Sequence, residues 1–265
     1  MNRYERTFAR VKKERRIAFI PFASAGDPDL GASEAIFKTY IDAGADILEV
    51  GYPFSDPVAD GPINQRAGRR AIDAGLNHAR FFKLVGSLRR YSEAPIGILM
   101  YANSALHLGY KTFCRMASDA GVDGILVADM PPEEAGEMLE AMDTAGLKSV
   151  FIVGELTPPD RMRLICKAVG GFVYVVSRLG STGVQREVDM TVTGTIARLR
   201  KATAMPLCVG FGISTPAHVA QIKKAGADGA IVGSALVDII EKNLHDRKKM
   251  LSVLAKAVRE FKRAT

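Results

Sequence analysis

The chain reads as an α/β protein, a (β/α)8 TIM barrel with an extra N-terminal helix, and three observations predict that fold. Short apolar runs alternate with helical patterns eight times along 265 residues, which calls for a parallel sheet with helices on its faces. The phrases Asp42-Ala-Gly-Ala-Asp46, Asp119-Ala-Gly-Val-Asp123, Thr144-Ala-Gly-Leu-Lys148 and Lys224-Ala-Gly-Ala-Asp228 each close a helix and open a strand, as a repeated supersecondary unit would. Eight such units in about 250 residues fit a closed barrel. A doubly wound open sheet is the alternative, weakened because no dinucleotide fingerprint follows the first strand.

Taken in order, residues 3–13 pattern as a short amphipathic helix, and Ile17 to Ala23 follows as an apolar strand. Residues 31–43 place Ile36, Phe37, Tyr40 and Ile41 on one helical face. Glycine at position 44 suits the left-handed turn that ends a helix. The remaining strands are expected at 46–50, 95–100, 124–128, 148–153, 172–176, 206–210 and 229–232. Between them, 133–145 shows one apolar stripe of Ala135, Met138, Leu139 and Met142, methionines that belong to a core. No linker or composition shift divides the chain, so a single domain over 1–265 is expected.

Composition is that of a soluble globular protein, 48% hydrophobic and 25% charged. The formal charge of +7 suits an anionic partner without naming one. Its basic residues gather in Arg10 to Arg16 and Lys242 to Arg263, at helical spacing and without the series of interleaved aromatics that a base-stacking platform needs, so they read as solvated helix faces and not as a nucleic-acid platform. Cys114, Cys166 and Cys208 stand far apart and read as free thiols in a reducing compartment. With no signal-peptide core and no apolar run of membrane-spanning length, a cytoplasmic location is expected and membrane association is not.

In a barrel the chemistry lies at the carboxyl ends of the strands, which here deliver Ser24, Glu49, Tyr101, Asp129, Ser177, Gly210 to Gly212 and Gly233-Ser234. Glycines after strands 6, 7 and 8 free backbone N–H groups to cradle a phosphate, aided by a helix N-terminus. Opposite them Glu49 ends a strand and Asp60 sits in a proline-rich loop. Glu49 shares the inward face with Ile47, so desolvation is expected to raise its pKa while Asp60 stays ionised, dividing acid and base roles. Asp56, before Pro57, reads as a turn residue. The four histidines are dispersed, so no metal site is expected. The residues alone indicate proton transfer on a phosphorylated substrate without a cofactor.

Several strings then carry a resemblance: Pro21-Phe22 through Gly26-Asp27-Pro28, the run from Glu49 to Pro62, Met100-Tyr-Ala-Asn103, Val127-Ala-Asp-Met-Pro131, Ser177 to Gly183 and Gly210-Phe-Gly-Ile-Ser214. From about residue 3 to residue 243 the chain resembles the tryptophan synthase alpha chain family. The resemblance implies a (β/α)8 barrel that splits indole-3-glycerol phosphate into indole and glyceraldehyde 3-phosphate. It implies Glu49 as general acid and base and Asp60 as the carboxylate at the indole nitrogen. Phe22, Leu99, Tyr101, Leu126 and Phe211 would form the apolar indole pocket, with Tyr174 near the glutamate. Gly183, Gly212, Gly233 and Ser234 would cradle the phosphate, and Thr182 would ride a mobile loop that closes toward Asp60. The family's partner is a beta chain in an alpha2beta2 complex, which carries the pyridoxal phosphate and receives indole through a tunnel; no cofactor is implied for this chain. Four positions depart from the family pattern: Ile63-Asn64 for Thr-Ile, Ser24 for threonine and Ser181 for valine.

Overall fold

The computed structural model describes residues 1–176, 188–210 and 212–265, the side chains of 188–191 excepted. Eight parallel strands close a barrel in sequence order: β1 (Ala18–Ser24), β2 (Leu48–Gly51), β3 (Ile96–Met100), β4 (Gly124–Val127), β5 (Lys148–Gly154), β6 (Val173–Val176), β7 (Leu207–Gly210) and β8 (Gly229–Val232). Around and below them run α1 (Arg3–Lys13), α2 (Leu30–Asp42), α3 (Pro62–Asp73), α4 (His78–Tyr91), α5 (Ala102–Leu106), α6 (Tyr110–Ala120), α7 (Gly136–Thr144), α8 (Pro159–Ala168), α9 (Val188–Ala202), α10 (Pro216–Lys224), α11 (Ser234–Lys242) and α12 (Arg247–Arg263). The predicted barrel is the observed one.

Alternation along each strand divides the core in two. Outward residues such as Phe19, Leu48, Val50 and Ile98 join the apolar stripes of the helices, including Ile36, Phe37 and Tyr40 of α2 and Met138 and Met142 of α7. Inward residues such as Ala18, Ile20, Ile47, Leu126, Val150, Tyr174, Cys208 and Ile231 fill the barrel. The amphipathic helix α1 plugs its lower end. Tyr4, Phe8 and Val11 enter the inner cluster, and the Tyr4 ring meets Phe172 edge-on at 5.6 Å. Gly97 and Gly124 make room for it, since a Cβ at either would lie 2.8 Å from a Tyr4 atom.

Two element starts differ from expectation by more than one residue. The second strand begins at Leu48 because the Asp46 and Ile47 N–H groups both donate to the Phe19 carbonyl, and the chain is still turning into the sheet. The seventh helix begins at Gly136 because Pro131 and Pro132 head a turn closed by Glu134 and Ala135 N–H groups.

The aspartates of the repeated phrase have a structural task that periodicity does not reveal. At the amino edge of the barrel, Asp46, Asp123 and Asp228 accept the N–H groups of Phe19, Ile96 and Leu207 at 2.8–2.9 Å. Each carboxylate stitches its own strand start to the strand before it. Each also pairs with arginine: Arg10 and Arg16 on Asp46, Arg3 and Arg89 on Asp123, Arg200 on Asp228. Lys262 of α12 completes the Asp46 cluster. The remaining phrase ends in Lys148, and its strand start has no such carboxylate.

Candidate active site

At the opposite edge, the register of β1, β2, β3 and β4 sets Phe22, Glu49, Gly97 and Gly124 side by side, with Leu99 and Leu126 paired one inward layer above. Glu49 is only 6% exposed. Gly51, the next inward residue, cannot carry a side chain because the Phe22 ring lies 2.7 Å from where its Cβ would be. Glu49 therefore stands among apolar groups, and burial, together with the nearby charge of Asp60, pushes its carboxyl up to about 8. No cation pairs with it among the described residues.

The loop after β2 is folded by its own hydrogen bonds. Val58 N–H donates to Asp56 O, Asp60 N–H to Pro57 O, and the Ser55 hydroxyl to the Asp56 carboxylate. Asp56 is thus a turn residue, as expected. The loop ends at Gly61, and Pro62 starts α3 with its ring preorganised for the first helical position. Asp60 so lies just before a helix N-terminus, where an anion is favoured.

Asp60, the loop carboxylate that sequence pointed to, is held in place. The Tyr101 hydroxyl donates to Asp60 Oδ2 at 3.2 Å and accepts the Ala59 N–H at 3.0 Å. Phe54 stacks on the Tyr101 ring at 5.4 Å. The loop is drawn down onto β3, and burial raises the Asp60 pKa as well, opposed by Tyr101 and by the Asn64 amide beside it. A recess of about 20 Å³ opens here, lined by Phe22, Ser24, Asp60, Asn64, Leu99 and Tyr101 among others.

Of the residues expected to form the pocket, Phe22, Leu99 and Tyr101 share this recess, while Leu126 lies deeper, on a small cavity that Glu49 also lines. Tyr174 points into the barrel from β6 and feels the charges of Glu49 and Asp60. Its hydroxyl occupies the space over Gly210, where a Cβ would lie 2.2 Å away. Gly210 thus admits an aromatic ring, a steric task that its place in a glycine turn did not disclose. Gly212 takes a left-handed φ of 77° after β7, a conformation suited to glycine. Gly233 precedes α11 and Ser234 is its first residue, so the free N–H groups of that helix end face the carboxyl rim. Thr182, Gly183 and Phe211 lie outside the described residues. Asp129, placed at the rim by sequence, accepts the Ala102 N–H at the start of α5.

Sequence reasoning missed the contacts of Phe54 and Asn64. The only signal for Asn64 was its appearance as a polar departure four residues after the loop carboxylate. Among the described residues no cluster of three or more His, Cys, Asp and Glu side chains could hold a metal ion, and no helix is long and apolar enough to cross a membrane.

Residues 8–265 match a family model described as tryptophan synthase alpha chain. The chain is 46% identical over 267 residues to the tryptophan synthase alpha chain of Methanoregula boonei, covering 98% of this chain and all of that one. It is 46% identical over 234 residues to that of Methanothermobacter thermautotrophicus, covering 88% and 87%. Among solved structures, the tryptophan synthase alpha subunit of Legionella pneumophila superposes with a TM-score of 0.91 at 31% identity, covering 100% and 98% of the two chains. A chain of the tryptophan synthase α2β2 complex of Pyrococcus furiosus gives 0.86 at 37% identity, covering 92% and 97%.

Proposed function

We propose, since the chain belongs to the tryptophan synthase alpha chain family, that Glu49 and Asp60 carry its lyase reaction. That reaction is the cleavage of indole-3-glycerol phosphate to indole and glyceraldehyde 3-phosphate in tryptophan biosynthesis. Three changes must be accommodated. The ring carbon bearing the glycerol chain takes up a proton, the ring nitrogen becomes electron-poor as it does so, and the adjacent side-chain hydroxyl gives up its proton. The O–H electrons then become the new carbonyl, and the electrons of the broken carbon–carbon bond return to the indole ring.

The observation that carries the assignment is the pair of carboxylates at one rim with no cation on either among the described residues, one buried among apolar groups and one held by Tyr101. With its carboxyl pushed up to about 8, Glu49 is protonated at neutral pH and can protonate the ring carbon. The carboxylate so formed is the base for the hydroxyl. Asp60 accepts the ring N–H and offsets its developing positive charge, a preorganised electrostatic role. Phe22, Leu99, Tyr101, Leu126 and Phe211 wall the indole ring, with Tyr174 beside Glu49. Gly212, Gly233 and Ser234 hold the phosphate through backbone N–H groups, and the family resemblance adds Gly183 and Thr182, which lie outside the described residues, to the substrate-binding set. No step calls for a cofactor on this chain. We read residues 1–265 as one barrel domain acting in the cytoplasm.

The partner is the beta chain, and α2β2 is the assembly, as in the Pyrococcus furiosus complex. Exposed Val58 and Leu156 stand on the loops after β2 and β5, and exposed Leu106 ends the short helix α5 that follows β3, at the same rim as the site. An apolar fringe of this kind suits a protein partner. The pyridoxal phosphate is assigned to that partner.

The test is indole release from indole-3-glycerol phosphate, with and without a beta chain. Glu49→Gln is expected to abolish release, and Asp60→Asn to lower kcat by about 10²–10³. Substantial turnover by folded Glu49→Gln removes Glu49 from the mechanism.

A further inference from the structure

The recess beside Asp60 contains a polar group that the reaction above does not use. Asn64, in the first turn of α3, lines it together with Phe22, Leu99 and Tyr101. Its amide lies beside the Asp60 carboxylate, yet its Oδ1 is buried and accepts no hydrogen bond. Four buried side-chain oxygens among the described residues share that condition, and Asn64 Oδ1 alone belongs to a residue of this recess.

The orientation of the amide follows from charge. Reversing it would set Oδ1 against a carboxylate, two acceptors facing each other, so the NH₂ group faces Asp60. Tyr101 cannot serve Oδ1, because its hydroxyl proton is committed to Asp60. A buried amide oxygen is costly without a donor, and the donor that the site reading brings to Asp60 is a ring N–H.

We infer that Asn64 is a positioning and specificity residue: its NH₂ group fixes Asp60, and its Oδ1 shares with Asp60, in a three-centre hydrogen bond, the ring N–H bound there. This rests on the reading of the recess as an indole site. It assigns the pocket a ligand class sharper than "aromatic", namely flat bicyclic rings with an N–H donor on the five-membered ring. Rings of the same shape without that donor leave Oδ1 unpaired, and a site built to receive a donor rejects such isosteres strongly.

The experiment measures dissociation constants of indole and of benzothiophene, its isostere without N–H, for the full chain and for Asn64→Leu. The chain contains no Trp, so indole can be followed by its own fluorescence and benzothiophene by competition. The unmodified chain is expected to prefer indole, and Asn64→Leu to cut that preference about tenfold, the loss of one hydrogen bond. Asn64→Ala, checked for folding by circular dichroism, stands in if leucine disturbs α3. A substitution that weakens both ligands by the same factor, with the preference intact, overturns the inference and leaves the site reading standing. Failure of the unmodified chain to bind either ring overturns the site reading and the inference with it.

Discussion

Glu49→Gln should stabilise the fold by an amount that depends on pH, because the barrel interior resists the charge that catalysis needs. The folded carboxyl titrates near 8, against 4.5 for an ordinary glutamate, and burial is the larger cause. The sign follows from proton counting. Between pH 4.5 and 8 the unfolded chain has released this proton and the folded chain has not, so raising the pH favours unfolding. The slope is about 1.4 kcal/mol per pH unit, and integrated over the interval it reaches roughly 5 kcal/mol. Below pH 4.5 both states are protonated, and above 8 both are ionised, so the penalty is absent at the acid end and complete at the alkaline end. Glutamine has the same shape and does not titrate. Urea unfolding of both proteins from pH 4 to pH 9 is the assay. The difference in unfolding free energy should grow in favour of Glu49→Gln through the interval and flatten above 8. A difference that stays constant across that range refutes the claim that Glu49 is buried without a compensating cation.

Two other perturbations probe the framework and the partner. Asp46→Asn leaves Arg16 and Lys262 facing a neutral amide and should cost about 3–5 kcal/mol, read as a lower urea midpoint at unchanged m; a loss below 1 kcal/mol contradicts the stitching role. Leu156→Asp places a charge on a side chain that is 80% exposed and should weaken beta-chain binding by about 1–2 kcal/mol while sparing basal indole release; unchanged titration by the beta chain, for this variant and for Leu106→Asp, removes the fringe from the interface.

The architecture was legible because its signals are local and periodic. The repeated Ala-Gly phrase marks helix ends by glycine's left-handed φ, which the structure shows at Gly44, Gly121, Gly146 and Gly226. The inward direction of Glu49 follows from alternation with Ile47, and its raised pKa from that direction. What escaped depends on contacts between distant residues. Nothing near Gly210 announces that the Tyr174 hydroxyl, thirty-six positions earlier in the chain, occupies its Cβ space. Nothing near Asp60 announces Tyr101, whose hydroxyl draws a proline-rich loop onto β3. Asn64 was visible as an oddity, and only the fold places it beside Asp60.

Asp46 and Glu49, three residues apart, show how one strand serves two purposes. At the amino edge burial pushes the Asp46 carboxyl up, but the hydrogen bonds of Arg16 and the charge of Lys262 outweigh it and hold the group below the usual range. At the carboxyl edge the same burial acts on Glu49, no cation among the described residues opposes it, and the charge of Asp60 adds to it. Asp46 thus stabilises the fold above the ordinary aspartate range and loses that contribution as pH falls through its lowered pKa. Glu49 destabilises the fold as pH rises toward 8. A cation placed beside Glu49 would remove the penalty, and it would also hold the carboxylate ionised and end its service as an acid. The stability lost at the rim is therefore inseparable from the proton that the reaction needs, and Asp46 at the opposite edge acts against that loss.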